Sequence, residues 1–217
     1  MKTNHLLSLL AVGCLVALCG AGTLGPFESN NDIGAGLQKG KVEFAAGVYR
    51  VTGGGADMWG KADAFHFVWK KISGEIALTA DVQLAGTSAE TKRKAAVMIR
   101  QSLDADSAYA DIAFHGNGEI AAQWRLAAGG VTGDVMRPDF LDTTTPTRIR
   151  IERRGNRFTV SAGKPDGQLA AMAPFTVNLT DPVYVGLAVC AHDANGLTTA
   201  AFSNVHVEPL PPAGGAH

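Results

Sequence analysis

The chain carries three cysteines, and two of them, Cys14 and Cys19, fall within its first 21 residues. Cys190 is left alone in the remainder, so no intrachain disulfide can hold the fold and the core must do so. An excess of one charge is also missing. The 19 Lys and Arg and 20 Asp and Glu give a formal net charge of −1, with no long run of either sign. That balance excludes an electrostatic case for nucleic acid or an anionic membrane surface as partner. Beyond the first residues there is no helical period of useful length and no internal repeat, which excludes bundles and solenoids. The short signatures GxSxG, HExxH and the phosphate loop are absent as well.

What is present begins with "MKTNHLLSLLAVGCLVALCGAG", a polar start with Lys2, an apolar run from Leu6 to Leu18, then small residues. This is the layout of a secretory signal peptide over residues 1–21, with cleavage expected after Ala21. The run is short for a bilayer span, so no membrane insertion is expected after its removal. Lys2 is the one charged residue it holds, so the formal charge moves from −1 to −2. Lipid attachment is disfavoured, because Ala11 stands where a leucine would precede Cys14 and bulky Leu18 sits directly before Cys19. The expectation is free export to the periplasm or the exterior.

From residue 22 to 208 the pattern is one of short strands. Segments such as "GVYRVTG", "AFHFVWKKI", "GEIALTADVQL", "KAAVMIRQSL", "YADIAFHG", "TRIRIERRG" and "VYVGLAVCAH" alternate apolar with polar or small residues between Gly, Asn, Asp and Pro. Hairpin turns are expected at "HGNGE" (115–119), "RRGNR" (153–157) and "KPDGQ" (164–168). With 26 glycines for turns and no crossover helices, the fold class is all-β, a two-sheet antiparallel jelly-roll sandwich in one domain. The end "PLPPAGGAH" (209–217) is expected to be a frayed tail.

"GGGADMWGKADAFHFVWKKISGEIALTADV", "KAAVMIRQSLDADSAYADIAFHGNG", "QWR", "IRIERRGNRF" and "PVYVGLAVCAHDANGLTTAAFSNV" follow one another in this order. Together they resemble the bacterial concanavalin A-like domain labelled "regulation of enolase", over most of residues 30–208. The resemblance implies a jelly roll with a concave face, shaped like legume lectins, laminarin-hydrolysing enzymes and pentraxins, and no settled activity. One departure is visible: no Trp follows the Asp166–Gly167 turn, where Gln168, Leu169 and Ala170 stand. Laminarin-hydrolysing relatives carry Glu-x-Asp-x-Glu on one strand, and this chain has no such run.

Strand alternation sorts the side chains by face. Phe65, Phe67 and Trp69 are expected in the core with His66, Val68 and Lys70 opposite. Val97, Ile99, Ile112, Phe114 and Trp124 are expected inward, as are Val183, Val185, Leu187 and Val189. The opposite faces then collect His66, Arg100, Tyr109, Asp111, His115, Gln123, Arg125 and His192 as a candidate ligand-binding surface. Planar side chains stack on sugar rings while Asp, Gln and Arg bond their hydroxyls; the plain alternative is a solvated sheet face. Trp59, in its glycine-rich loop, is either a stacking platform at the rim or a plug for the end of the sandwich. On this reading Arg125→Ala with Asp111→Ala abolishes binding to a glycan array and leaves melting nearly unchanged.

No catalytic residue is assigned, because glycoside hydrolysis needs a pair of carboxyl groups and Asp111 is single. Cys190 in its apolar strand reads as a buried inert thiol despite His192 two residues on. No zinc site or other metal centre is expected from the scattered histidines. Glu28, Asn30 and Asp32, or Asp104 and Asp106, would be the oxygens of a structural calcium, but ordinary turn roles are favoured there. The expectation is an exported, non-catalytic module that binds carbohydrate or another envelope ligand, with no cofactor. The alternatives are a glycoside hydrolase or lyase and an envelope protein-interaction module; oligomeric state is not indicated.

Overall fold

The computed structural model describes residues 24–35, 38–86, 88–137, 139 and 141–211. The expected signal segment 1–21 lies outside them. The strands, in chain order, are β1 (Ser29–Ile33), β2 (Lys41–Ala45), β3 (Val48–Gly55), β4 (Met58–Trp59), β5 (Ala62–Asp63), β6 (Phe65–Ile72), β7 (Ile76–Leu84), β8 (Lys94–Arg100) and β9 (Tyr109–His115), followed by β10 (Ile120–Arg125), β11 (Gly133–Met136), β12 (Thr147–Arg154), β13 (Arg157–Gly163), β14 (Ala170–Ala171), β15 (Phe175–Thr176), β16 (Val183–Cys190) and β17 (Asp193–Pro209). One sheet has the order β1-β6-β16-β8-β9-β10-β11, and the other β14-β13-β12-β7-β17-β3-β2 with β15 also on β13. Every pairing is antiparallel. Neighbours distant in sequence, such as β6–β16 and β7–β17, make this the jelly-roll type of sandwich expected from the alternation.

The three expected hairpins form, with Gly118 and Gly155 at positive φ in the first two. At the C-terminus, β17 runs through Pro209 opposite Ile76, and the Leu210 N–H donates to Glu75 O at 2.9 Å. The paired chain thus extends past residue 208; residues 212–217 lie outside the described residues.

The main core lies between the sheets and includes Val97, Ile99, Ile112, Phe114, Val183, Val185, Leu187 and Val189. Alternation assigned all of these inward. It fails on β6. Val68 belongs to this core, and Phe65 and Phe67 face the other way, into a second apolar cluster with Met58, Met98 and Tyr109. His66 turns toward the second sheet, where a Cβ on Gly53 of β3 would come within 3.0 Å of the His66 Cβ. The reason for the inversion is a second cover. The short β4–β5 hairpin and loop 101–107 lie over the outer face of the seven-stranded sheet, with Met58, Leu103 and Ala105 packed on it. Both faces of the sheet's middle strands are therefore buried, and β8 and β9 are buried at every position. The larger aromatic rings of β6 fill the outer layer rather than the inner one.

The hairpin depends on Gly55 at its entry. Gly55 has φ +109° and passes the Ala64 carbonyl so closely that a Cβ would stand 1.8 Å from that oxygen. Only glycine meets both conditions.

Candidate functional site

The outer face holds two polar groups: a sealed ion cluster beneath the hairpin and an open cleft beside it. Asp63, on β5, points down at the sheet. Its carboxylate takes Arg125 in a two-pronged pair, Nη1 to Oδ2 at 2.9 Å and Nη2 to Oδ1 at 2.6 Å, with Arg100 Nη2 at 3.5 Å from Oδ2. All three side chains have no exposed surface. Arg125 also donates to Ser107 O at 3.0 Å and to Trp59 O and Gly60 O at 3.3 Å; Arg100 donates to Ser102 O at 2.7 Å and Asp104 O at 2.5 Å. The guanidiniums lie over aromatic rings, Arg125 5.0 Å from the Tyr109 centroid and Arg100 5.1 Å from that of Phe65. Burial pulls Arg100 down to about 10, against the opposing charge of Asp63, so it stays protonated at neutral pH. The planar forks thus tie hairpin, loop and sheet into one unit.

Three of the residues expected to meet ligand, Arg100, Tyr109 and Arg125, belong to this cluster, as internal fasteners closed to solvent. They lie on the face that parity assigned, but under a cover that parity cannot show. His66 is elsewhere altogether, between the sheets, with Nδ1 2.6 Å from Asp32 Oδ1. Asp32 is further occupied by the Gly40 N–H at 3.0 Å, and Glu28 accepts the Lys71 N–H at 3.3 Å. Asp104 uses its backbone carbonyl for Arg100 and its carboxylate for the Ser102 hydroxyl. Among the described residues no three His, Cys, Asp or Glu side chains are grouped as a metal ion would require. Cys190 is buried with Sγ 3.4 Å from Gly55 O, and burial pushes its thiol up to about 12.

The remaining candidates converge on the cleft. About 250 Å3 in volume, it is walled by Trp59, Lys94, His115, Gln123, His192 and Asp57, with Lys92, Asp134 and Met136 completing it. Trp59 stands at the rim, 37% exposed, with Lys94 Nζ 5.5 Å from its ring centroid. It is not a buried plug for the end of the sandwich. Lys94 Nζ holds Asp57 at 2.6 Å, and His192 Nε2 lies 3.3 Å from the other Asp57 oxygen. His192 sits just past the end of β16 at φ +55°. His115 is 3% exposed, and burial followed by the charge of Lys94 depresses it to about 4. It is neutral at physiological pH. Its Nδ1 lies 3.3 Å from Glu119 O, an acceptor only, so the proton sits on Nδ1 and Nε2 is left as an acceptor.

Asp111 lies under this cleft, paired across the strands with Gln123 on one side and Met98 on the other. Both its carboxylate oxygens are buried without a hydrogen-bond partner, as is Gln123 Oε1. Burial, joined by the charges of Asp63 and Asp57 against those of Lys94 and Arg100, holds its pKa well above the carboxylate range. Burial therefore favours the protonated acid over the carboxylate at this position. Lys94, which lines the cleft and lies on the same face of β8 as Met98 and Arg100, was legible by the parity that selected Arg100. Asp57 and Asp134 carry no such signal, since one lies in the link between β3 and β4 and the other on a short edge strand.

No family model matches the chain, and no curated protein sequence is similar to it. Solved structures do match in shape. A functionally unknown protein from Saccharomyces cerevisiae superposes with a TM-score of 0.66 at 14% identity, covering 79% of this chain and 92% of that one. A carbohydrate-binding module from Bacillus subtilis gives 0.57 at 15% identity, over 84% and 97% of the two chains. A prokaryotic β-1,3-1,4-glucanase from a mouse hindgut metagenome gives 0.52 at 13% identity, over 78% and 83%. Legume lectin and further glucanase structures match in the same manner. At these identities the likeness establishes the concanavalin A-like jelly roll and nothing finer.

Proposed function

We propose that this chain is an exported, non-catalytic module that binds carbohydrate in the cleft at Trp59. The observation that carries the proposal is the half-open indole of Trp59 beside a neutral imidazole, His115, and an amide, Gln123. An exposed indole face stacks on the apolar side of a sugar ring, while an unprotonated Nε2 and an amide bond its hydroxyls without a charge to desolvate. The cleft of about 250 Å3 falls below the ~300–1,000 Å3 of drug-sized sites. A terminal sugar fits that size better than an enclosed oligosaccharide. Solved structures of the same shape include one named as a carbohydrate-binding module and one named as a lectin, which supports this ligand class. The signal-like residues 1–21 support a place outside the cytoplasm. The block order that resembles the "regulation of enolase" domain supports membership of that family. Binding is favoured over hydrolysis because Asp111 is sealed from solvent and Asp57 is tied to Lys94 and His192.

A broad glycan array probed with and without calcium tests the proposal. Specific binding is expected, and Trp59→Ala and Gln123→Ala each weaken it tenfold or more. Trp59→Ala leaves the melting curve nearly unchanged, because the ring is over a third exposed and its backbone carbonyl still accepts Arg125. Dependence on calcium would add a structural ion to the account. A silent array in both conditions, or binding that survives Trp59→Ala, overturns the cleft assignment. The envelope protein-interaction reading has one observation of its own. Val131, Val135 and Met136 are exposed on and beside edge strand β11. A defined envelope protein captured through that edge, with no glycan bound, would favour it.

A further inference from the structure

Buried arginines in this protein follow a rule. Arg100 and Arg125 share Asp63, and Arg153 Nη1 lies 2.5 Å from Asp181 Oδ1. Arg93 breaks it. Its side chain sits at the end of the sandwich, between the loop after β7 and the turn after β9, and the residue is 7% exposed. Among the described residues no carboxylate pairs with it, and the residues outside that set include no Asp or Glu. Burial alone, with no charged neighbour contributing, pulls its pKa down from the usual value.

The guanidinium is held in place by neutral acceptors. Nη1 donates to Ala85 O at 2.8 Å and Thr198 Oγ1 at 3.2 Å, and Nη2 to Gly86 O at 2.6 Å. That leaves the Nε–H and one Nη2 proton without a partner among the described residues. Gly116 permits the arrangement, since a Cβ there would stand 2.9 Å from Arg93 Nε. Arg93 lines a polar cleft of about 330 Å3 together with Gly116, Ser88, Thr143 and Thr144. The Ser88 oxygen accepts the Glu90 N–H, so its own proton is free to donate. The nearby Asp142 is turned to its own loop, where it accepts the Thr144 N–H and hydroxyl at 2.8 and 2.7 Å. A buried guanidinium without a counter-charge is costly unless something supplies one.

We propose that Arg93 is the centre of an oxyanion-binding site, taking a carboxylate, sulfate or phosphate group in the cleft between the β7–β8 loop and the loop before β12. The free donors of a fixed guanidinium suit two oxygens of such a group, with hydroxyls from the wall as further donors. The site shares no lining residue with the Trp59 cleft. Lys92, the next residue, lines that other cleft and is paired with Glu119. The two proposals therefore stand or fall separately.

Nitrogen-15 NMR of the Arg93 Nε–H signal tests this on the intact domain. Sodium sulfate, sodium phosphate and sodium glucuronate are titrated in turn at ionic strength held constant with sodium chloride. A saturable shift at Arg93, absent at Arg125, is expected with a dissociation constant on the order of 1 mM or below. Tighter glucuronate binding assigns the site to the carboxylate of an acidic sugar; tighter sulfate or phosphate assigns it to a free or esterified inorganic group. Arg93→Gln abolishes the anion-specific gain in melting temperature over sodium chloride. Should that variant fail to fold, the wild-type titration decides alone. A signal that does not move, or that drifts without saturation alongside the other arginines, overturns the proposal.

Discussion

Asp63→Ala will lower the unfolding free energy by about 3–5 kcal/mol, because it strands two buried guanidiniums without a counter-charge. For a domain of this size such a loss moves the melting temperature by roughly 6–20 °C. The estimate rests on the 0% exposure of all three side chains and on the two-pronged Arg125–Asp63 pair. Arg125→Ala falls in the same range, since it removes five carbonyl contacts together with the charge pair. That replaces the sequence-based expectation that Arg125→Ala together with Asp111→Ala leaves melting nearly unchanged. Urea denaturation of the single variants and of Asp63→Leu with Arg125→Met measures it. The double variant should lose less than the two singles added together, because the partners are removed jointly. A single-variant loss below about 1 kcal/mol would mean that the hairpin is not fastened by this pair.

The second large effect is on pH dependence. Asp111 has no hydrogen-bond partner among the described residues, and burial holds its pKa well above the unfolded value of about 3.9. An acid raised in this way contributes stability that is fully present below the unfolded pKa and lost as pH rises through the folded one. His115 acts in the opposite direction. Depressed to about 4, it contributes stability that is present above its unfolded pKa of about 6.5 and lost as pH falls toward 4. The two slopes compete at acid pH and separate above it. Asp111→Asn keeps the shape and removes the titration. Its stability relative to wild type should therefore rise by about 1.4 kcal/mol per pH unit, from above pH 5 up to the folded pKa. Chemical denaturation at pH 5.5, 6.5, 7.5 and 8.5 in matched ionic strength reads the difference directly. Parallel curves for the two proteins would show that Asp111 is ionised and paired in the folded chain.

How far the residues foretold this arrangement differs from strand to strand. On β8, β9 and β10 one parity is large and apolar and the other carries Arg, Asp, His or Gln, and on β16 four large aliphatic residues alternate with Tyr, Gly, Ala and Cys, so the faces were legible. On β6 alternation points the wrong way: Phe65, Phe67 and Trp69 are the more apolar parity, yet Val68, from the parity that also carries His66 and Lys70, enters the main core. The deciding fact is the hairpin over the outer face, a long-range contact that no local pattern encodes. Asp63 in "GKADAF" looks like any turn acid. A signal did exist: Arg100 and Arg125 fall on one sheet face, at the ends of two strands within the sheet, and buried cations call for a carboxylate from elsewhere in the chain. The Trp59 cleft was half legible. His115, Gln123 and His192 came from parity and Trp59 from its loop, whereas Asp57 and Asp134 depend on how the hairpin and edge strand fold back.

The central claim is that the outer face meets ligand at the Trp59 end and is closed elsewhere. The three tryptophan indoles report on it separately. Trp59 is at the cleft rim; Trp69 packs edge-on against Tyr184 and bonds Asn31, and Trp124 stacks on Phe175. Titration of the domain with its best array glycan, followed by the indole N–H resonances, is the most direct measurement. The account predicts a saturable shift at Trp59 with Trp69 and Trp124 unmoved. A shift centred on Trp69, with Trp59 still, would contradict it.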